Sequence, residues 1–192
     1  MTLRYRRLSS SYKKAAVAGG WWLSGGISAA NCRGAYQAKG AASYAASLLD
    51  LSDAGNDLNE LTNSPLWNTS TGWQFNNSNS ANAQCLDTGV IPASGYSHIV
   101  KFSGAIRLNS SVCGYHKSGA RFRIDWDNEG DVYYSSGGYL KVNPSLSGGV
   151  LAVAGQYGYR NGNLDSAQID AWTDTASGTV ILGGNNAYTS MY

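Results

Sequence analysis

The stretch ARFRIDW, residues 120–126, decides the fold class because apolar and charged side chains alternate along it. Phe122, Ile124 and Trp126 occupy every second position, and charged residues fill the positions between them. Successive side chains of a β-strand point to opposite faces of a sheet. The pattern therefore predicts a strand with one face in an apolar core and the other face in water.

The chain after Gly72 repeats this organisation, with short apolar runs separated by Gly, Asn, Ser and Pro turns. NEGD at 128–131 predicts a turn, and VYYSS at 132–136 predicts the strand that returns from it. Asn161-Gly162 predicts a tight hairpin, because both residue types tolerate a positive φ. Further strands are predicted at SHIVKFSG, VLAVAG and GTVILGG, residues 97–104, 150–155 and 178–184.

The composition is that of one folded domain with an uncharged surface. The chain has 192 residues, of which 43% are hydrophobic and only 14% charged, against a usual charged fraction of about a quarter. This balance suits a β-rich extracellular or virion protein better than a cytosolic enzyme. The three cysteines are an odd number with no C-x-x-C pair, so we expect free and mostly buried thiols.

Charge divides the chain into a basic leader and an acidic body. Residues 1–49 hold seven basic residues and no acid, and the remainder holds seven basic and all twelve acidic residues. We predict a basic N-terminal arm over 1–20 ahead of a domain over 21–192. The arm is a solvated tail, a link to a neighbouring subunit or, less favoured, a nucleic-acid contact. Its proposed assembly residues are Arg4, Arg6, Arg7, Lys13, Lys14 and the anchoring pair Trp21 and Trp22.

Two segments precede the strand region. The alanine content of 36–49 permits one helix, which Gly40 and the serines oppose. DLSDAGNDL at 50–58 is a polar cluster around Gly55, and it predicts a turn closed by side-chain bonds to backbone N–H groups. Calcium is the alternative, since several oxygen ligands lie close together. The candidate ligands are Asp50, Asp53, Asn56 and Asp57.

Several of these segments, taken in order, resemble the laminin-G-like, concanavalin-type jelly rolls. DLSDAGNDL is similar to the family's D-x-S-G-x-G-N signature, although Asp53 and Ala54 stand where Gly and Asn are common. The stretch 72–92 is similar to its G-x-x-F-x-G-S-x-x-Y-L-x-T-G strand pair, with Cys85 in place of an aromatic residue. YGYRNGNLD and VILGGNN are similar to its later hairpin and strand, and residues 21–48 resemble the start of such domains in phage and prophage structural proteins.

The resemblance implies an all-β fold, an antiparallel jelly-roll β-sandwich with an extended basic N-terminal arm. Family members continue past the VILGG strand to a closing strand, whereas this sequence ends at AYTSMY. A strand supplied by another chain would cover the edge left open. We therefore expect an oligomer or a larger assembly, with calcium possible because some relatives bind it.

The hairpin around residue 128 is the predicted ligand patch. Aromatic rings stack on the C–H faces of sugars, and carboxylates and amides hold the hydroxyl groups. A structural turn and an apolar core position are the simpler interpretations of the same residues. Catalysis is not expected, because only Glu60 and Glu129 are glutamates and no carboxylate pair matches a glycosidase motif. The predicted glycan-binding residues are Asp125, Trp126, Asp127, Asn128 and Tyr133.

The sequence predicts a non-enzymatic virion protein, either capsid-decorating, head-fibre or tail-associated. Its expected partners are copies of itself or other virion proteins, with host or environmental glycans as possible ligands. A stand-alone carbohydrate-binding adhesion module is the alternative. The basic start is not followed by the apolar run of a signal peptide, and no stretch is long and apolar enough to cross a membrane. We therefore expect synthesis in a host cytoplasm and no membrane partner.

Overall fold

The computed structural model describes residues 28–61, 63–76, 84–103, 110–117, 120–126, 132–136, 138–142, 148–167 and 175–183. Strands dominate these residues, and every pairing between named strands is antiparallel. Helix is confined there to a 3₁₀ turn at Ala29–Asn31 and to α1 at Tyr44–Ser47. The all-β prediction is therefore confirmed.

The described strands are numbered in chain order. They are β1 (Asn59–Glu60), β2 (Leu66–Asn68), β3 (Gly72–Gln74), β4 (Leu86–Asp87), β5 (Ser97–Ser103), β6 (Ser110–Lys117), β7 (Ala120–Trp126), β8 (Val132–Ser136), β9 (Gly138–Val142), β10 (Gly148–Ala154), β11 (Tyr157–Arg160), β12 (Asn163–Ala167) and β13 (Ile181–Leu182).

Seven of these strands form one sheet in the order β1-β4-β13-β6-β7-β8-β9. The predicted alternation of β7 is confirmed, because Phe122 and Ile124 are buried while Arg123 between them is half-buried. The predicted return strand is also confirmed, since β8 pairs with β7 in continuous register from Trp126↔Val132 to Phe122↔Ser136. The strand predicted at 178–184 is present only as the two-residue β13.

Four other strands form a second sheet in the order β12-β11-β10-β5. The Asn161-Gly162 hairpin joins β11 to β12, and its two central residues have φ of 49° and 83°. Two positive φ values in a two-residue loop match the twist of the flanking strands. The prediction of a tight turn at this position is confirmed.

The two sheets contact each other mainly through β10, and also between β12 and β9. Strand β10 lies within 8 Å of β7 and β8, measured between Cα atoms. Leu151 and Val153 of β10 are fully buried, and the ring of His98 in β5 meets the ring of Phe122 edge-on at 4.3 Å. Apolar side chains of both sheets are therefore removed from water together. A further cluster joins Tyr115 and Phe122 to Ala176 and Val180.

The segment before β4 packs around a short hairpin of β2 and β3, whose centre is the cross-strand pair Trp67↔Trp73. Trp67 Nε1 donates to Ala38 O at 3.0 Å, and Trp73 Nε1 donates to Ser47 Oγ at 2.9 Å. Both indoles thereby tie the preceding segment to the hairpin. In the alanine-rich segment 36–49, which permits a helix by composition, only the four residues of α1 are helical.

The cysteines of the described residues form no disulfide. Cys85 and Cys113 are buried, and Cys32 is partly exposed. The expectation of mostly buried thiols outside disulfides is confirmed, and burial raises the pKa of Cys85 to about 11.

Candidate functional site

The outer face of the four-stranded sheet carries a continuous apolar row. Ile99 pairs with Ala152, Ala152 pairs with Tyr159, and Tyr159 pairs with Leu164, so one side chain from each strand stands in line. Ile99 is 54% exposed and Leu164 is 57% exposed. We call this row, together with the half-buried Val150, the apolar face. Single exposed apolar residues are ordinary, whereas a contiguous patch marks an interaction surface.

A groove of about 360 Å³ runs along the apolar face over β10. Ala152 lies at its centre between the larger side chains of Ile99 and Tyr159. The groove exists because the alanine side chain is small, and Ser97 and Gly162 also line the groove. Its shape and lining suit an apolar or aromatic group of another molecule or segment.

One charged group stands at the border of this surface, and an ion pair lies on the other side of the sheet. Arg160 Nη2 lies 2.8 Å from Asp165 Oδ2, and Arg160 pairs with the buried Leu151, so this pair belongs to the inner face. Lys101 is exposed at the position opposite Val150. An apolar centre with a polar rim is the usual anatomy of a protein–protein contact.

His98 lies behind the apolar face, on the inner side of β5. Both ring nitrogens are buried and find no hydrogen-bond partner among the described residues. Burial disfavours the charged imidazolium and lowers the pKa of His98 to about 3. The ring is therefore a neutral, aromatic filler beside Phe122 at any physiological pH.

The predicted turn at 50–58 is built around one carboxylate. Asp50 Oδ1 accepts from Ala35 N at 2.9 Å and Ser52 N at 2.8 Å, and Oδ2 accepts from Ser52 Oγ at 2.7 Å and Asn56 N at 3.0 Å. Burial alone would raise the pKa of Asp50, but these hydrogen bonds outweigh it and the pKa is lowered. Side-chain closure of this turn is confirmed.

Other side chains bind the same turn to its surroundings. Asp57 Oδ1 accepts from Asp50 N at 2.8 Å. The Tyr36 hydroxyl donates to Asn56 O at 2.7 Å, and it also lies 3.3 Å from Thr88 O at the end of β4. Burial, followed by the nearby carboxylates, raises the pKa of Tyr36. The turn is thereby tied to the seven-stranded sheet.

The candidate calcium ligands do not converge on one point. Asp50 is buried with both oxygens already accepting hydrogen bonds, whereas Asp53 is exposed. Asn56 donates its side-chain amide to Arg33 O at 2.6 Å, and Asp57 holds a backbone N–H. Within the described ranges, no group of three or more His, Cys, Asp or Glu side chains is arranged to hold a metal ion.

The predicted glycan patch is only partly within the described residues. The register places Asp125 of β7 directly opposite Tyr133 of β8. Trp126 is the last residue of β7 and pairs with Val132 of β8. Asp127 and Asn128 lie outside the described residues, as does the whole arm with Arg4, Arg6, Arg7, Lys13, Lys14, Trp21 and Trp22.

Comparison with protein-family models, curated proteins and solved structures finds no match to this chain. The resemblance to laminin-G-like jelly rolls therefore stays a prediction. No helix in the described part of the chain is long and apolar enough to cross a membrane.

Proposed function

We propose that this chain is a non-enzymatic structural protein that assembles into a virion or a comparable particle through its apolar face. The observation that carries the proposal is the alignment of Ile99, Ala152, Tyr159 and Leu164 across all four strands, with the outer two side chains more than half exposed. Such a surface lowers its free energy when another surface covers it.

The architecture we propose is a jelly-roll β-sandwich with the basic arm outside it. Antiparallel sheets in contact through β10 support the sandwich. The virion context rests on the resemblance of residues 21–48 to phage structural proteins. The arm is proposed from charge alone, since residues 1–49 contain no acid. Calcium and nucleic acid are not needed for this function.

Glycan binding is the second candidate, and the pairing of Asp125 with Tyr133 favours it. The two residue types suit a sugar, because a carboxylate accepts hydrogen bonds from hydroxyl groups and a phenol ring can stack on a C–H face. This site and the apolar face are on different sheets, so they can be tested separately.

The assembly state tests the proposal. We expect the full chain to form a defined oligomer in size-exclusion chromatography with light scattering, and Ile99→Lys combined with Leu164→Lys to shift it to monomer. Leu66→Lys is the matched control, because Leu66 is 60% exposed on β2, outside this sheet. A wild-type chain that stays monomeric at high concentration, and binds glycans on an array, would support the adhesion module instead.

A further inference from the structure

We propose that the open edge of β5 pairs with β5 of a second copy of this chain, antiparallel and across a two-fold axis at Val100. This inference rests on the proposed assembly function and names its first contact. The pairing joins two four-stranded sheets into one continuous sheet. The two apolar faces then form one larger surface.

The edge of β5 is regular along its whole length. β5 is an end strand of the four-stranded sheet, and no other described strand pairs with its outer edge. Proteins usually interrupt an exposed edge with a bulge, a proline or a very short strand. β5 has seven residues without a proline, and its pairing with β10 has no register shift. At the opposite end of the sheet, the pairing of β11 with β12 does shift, between Gly158 and Tyr159.

The hydrogen bonds of Val150 show which backbone groups of β5 face the open edge. Val150 O accepts from Asn161 N at 2.8 Å, and Val150 N donates to Asn161 Oδ1 at 2.9 Å, so both groups point away from β5. Successive residues of a strand turn their N–H and C=O groups to opposite edges. Leu151 therefore bonds to its partner Val100 on β5. By the same alternation, the odd-numbered residues of β5 present their N–H and C=O groups to the open edge.

The sequence of β5 is complementary to itself in the antiparallel direction. SHIVKFS read against its own reverse places Val100 opposite Val100, Ile99 opposite Lys101, His98 opposite Phe102 and Ser97 opposite Ser103. Odd-numbered residues then oppose odd-numbered residues, so the outward N–H and C=O groups of the two copies meet. A shift of two residues in either direction leaves both ends unpaired, and one of the two shifts places Lys101 opposite Lys101.

Lys101 is compatible with this pairing, although a lysine on an edge strand often prevents one. Ile99 and Lys101 are both exposed on the outer side of β5. In the proposed register the stem of Lys101 covers Ile99 of the other copy, while its ammonium group stays in water. The half-buried Val100 meets the same residue of the other copy, so the contact at the axis is apolar.

The size of the contact sets the expected strength of the dimer. In strand addition, main-chain hydrogen bonds supply the affinity and the side chains supply the specificity. One pair of seven-residue strands is smaller than a standard interface, which buries about 800 Å² on each partner. We therefore expect a dimer that dissociates on dilution, and the joined apolar faces are the surface for larger assemblies.

Amide hydrogen exchange tests the pairing residue by residue in the wild-type chain, by NMR at a low and a high protein concentration. The amides of His98 and Val100 point to β10 and should be protected at both concentrations. The amides of Ile99 and Lys101 face the open edge and should gain protection only at the high concentration. A dimer formed through any other surface would not produce this alternation.

Charged variants of Ile99 test the register. Ile99→Lys places like charges opposite each other at both symmetry-related positions, and it should weaken the dimer by about tenfold in a sedimentation-equilibrium dilution series. Ile99→Glu is the matched control, because it adds a charge at the same place but opposite Lys101, and it should keep the dimer. Adding Lys101→Glu to Ile99→Lys should restore the wild-type dissociation constant.

A proline at an outward position tests the main-chain bonds. Lys101→Pro removes an N–H group that faces the open edge and leaves the bonds to β10 in place. It should give a monomer with an unchanged far-ultraviolet circular-dichroism spectrum, whereas Lys101→Thr keeps the N–H group and should keep the dimer. Leu164→Lys changes the other end of the sheet, so it should keep the dimer while preventing larger assemblies.

Three outcomes overturn the inference. An oligomer whose Ile99 and Lys101 amides stay unprotected would place the contact elsewhere and leave the assembly function standing. Equal weakening by Ile99→Lys and Ile99→Glu would exclude the register. Protection of both amides in a chain that is monomeric at every concentration would mean that the chain covers its own edge, and the assembly function would fail with it. A wild-type dimer that forms nothing larger would instead support the pairing and contradict assembly through the apolar face.

Discussion

The turn at 50–58 and the four-stranded sheet differ in how their buried polar groups are hydrogen-bonded and in which side chains face water. In the turn, the buried carboxylate of Asp50 accepts four hydrogen bonds, and Asp57 and Tyr36 bind the surrounding backbone. In the sheet, the buried ring of His98 finds no partner among the described residues, and apolar side chains face outward.

The difference separates structure from function. Buried polar groups that are fully bonded fix one conformation and leave nothing for a ligand to gain. An apolar row facing water leaves free energy that a partner can release by covering it. The neutral imidazole of His98 behind the row instead makes the fold lose stability at acid pH. The polar turn at 50–58 therefore has a structural role, and the strands of the four-stranded sheet carry the candidate surface.

The largest effect is expected at Asp50. Asp50→Ala leaves the N–H groups of Ala35, Ser52 and Asn56 without their acceptor in a mostly buried site. Removing charged acceptors and leaving donors unpaired should lower the free energy of unfolding by about 3–5 kcal/mol. Urea denaturation at pH 7, followed by tryptophan fluorescence, measures the loss.

The matched control is Asp53→Ala in the same turn, because Asp53 is exposed. We expect a change within about 0.5 kcal/mol for such a surface position. Equal losses for the two variants would show that the Asp50 hydrogen bonds do not hold the turn. Added calcium should not raise the stability of the wild type, and a clear rise would restore the metal interpretation.

An intermediate effect is expected from pH at His98. The pKa of His98 in the folded chain is about 3, below the ordinary value of 6.5. Between these two pH values the imidazole is protonated in the unfolded chain and neutral in the folded chain. Stability is complete above about pH 6.5 and is lost as the pH falls toward 3. The wild type should lose up to about 1.4 kcal/mol for each pH unit below 6.5, or about 2 kcal/mol at pH 5.

His98→Leu should remove this slope, since leucine needs no partner in the core. The window from pH 7 to pH 5 isolates the effect, because the pKa values of Asp50 and Glu60 are lowered and both groups stay ionised there. Urea titrations of wild type, His98→Leu and the control His116→Gln at both pH values give the comparison. A slope that persists in His98→Leu would assign it to another group.

Local patterns predicted the local parts of the fold. Alternation placed Phe122 and Ile124 of β7 in the core, where the structure has them, and the strand predicted at SHIVKFSG is β5. The Asn161-Gly162 hairpin and the turn at Asp50 followed from side-chain chemistry within a few residues. These elements depend on neighbours in sequence, so one sequence is enough to find them.

The candidate surface could not be predicted in the same way. β5 and β10 pair from Ser97↔Ala154 to Ser103↔Gly148, across a separation set by the whole topology. Only that pairing brings Ile99 beside Ala152 and, through β11, beside Tyr159. The run VLAVAG predicts a strand, but its alanines and valines do not reveal which face of the strand is covered. The exposed side of β10 becomes visible only when the sheet is assembled.

The smallest effect is expected from replacing glycines, and it tests whether the turn at 50–58 and the four-stranded sheet both depend on a glycine with a positive φ. Gly55 in the turn has φ of 75°, Gly162 in the hairpin has φ of 83°, and a Cβ would meet nothing within 4 Å at either position. Replacement by alanine therefore costs only the left-handed conformation, about 1 kcal/mol at each site. Gly95 also has open space but lies outside the positive-φ set, so Gly95→Ala should leave stability unchanged or slightly raised. Thermal unfolding of the three variants measures these changes in stability. A larger loss of stability for Gly55→Ala than for Gly162→Ala would mean that strain in the turn also weakens the Asp50 hydrogen bonds. Equal losses would mean that the hairpin constrains its backbone as strongly as the turn does.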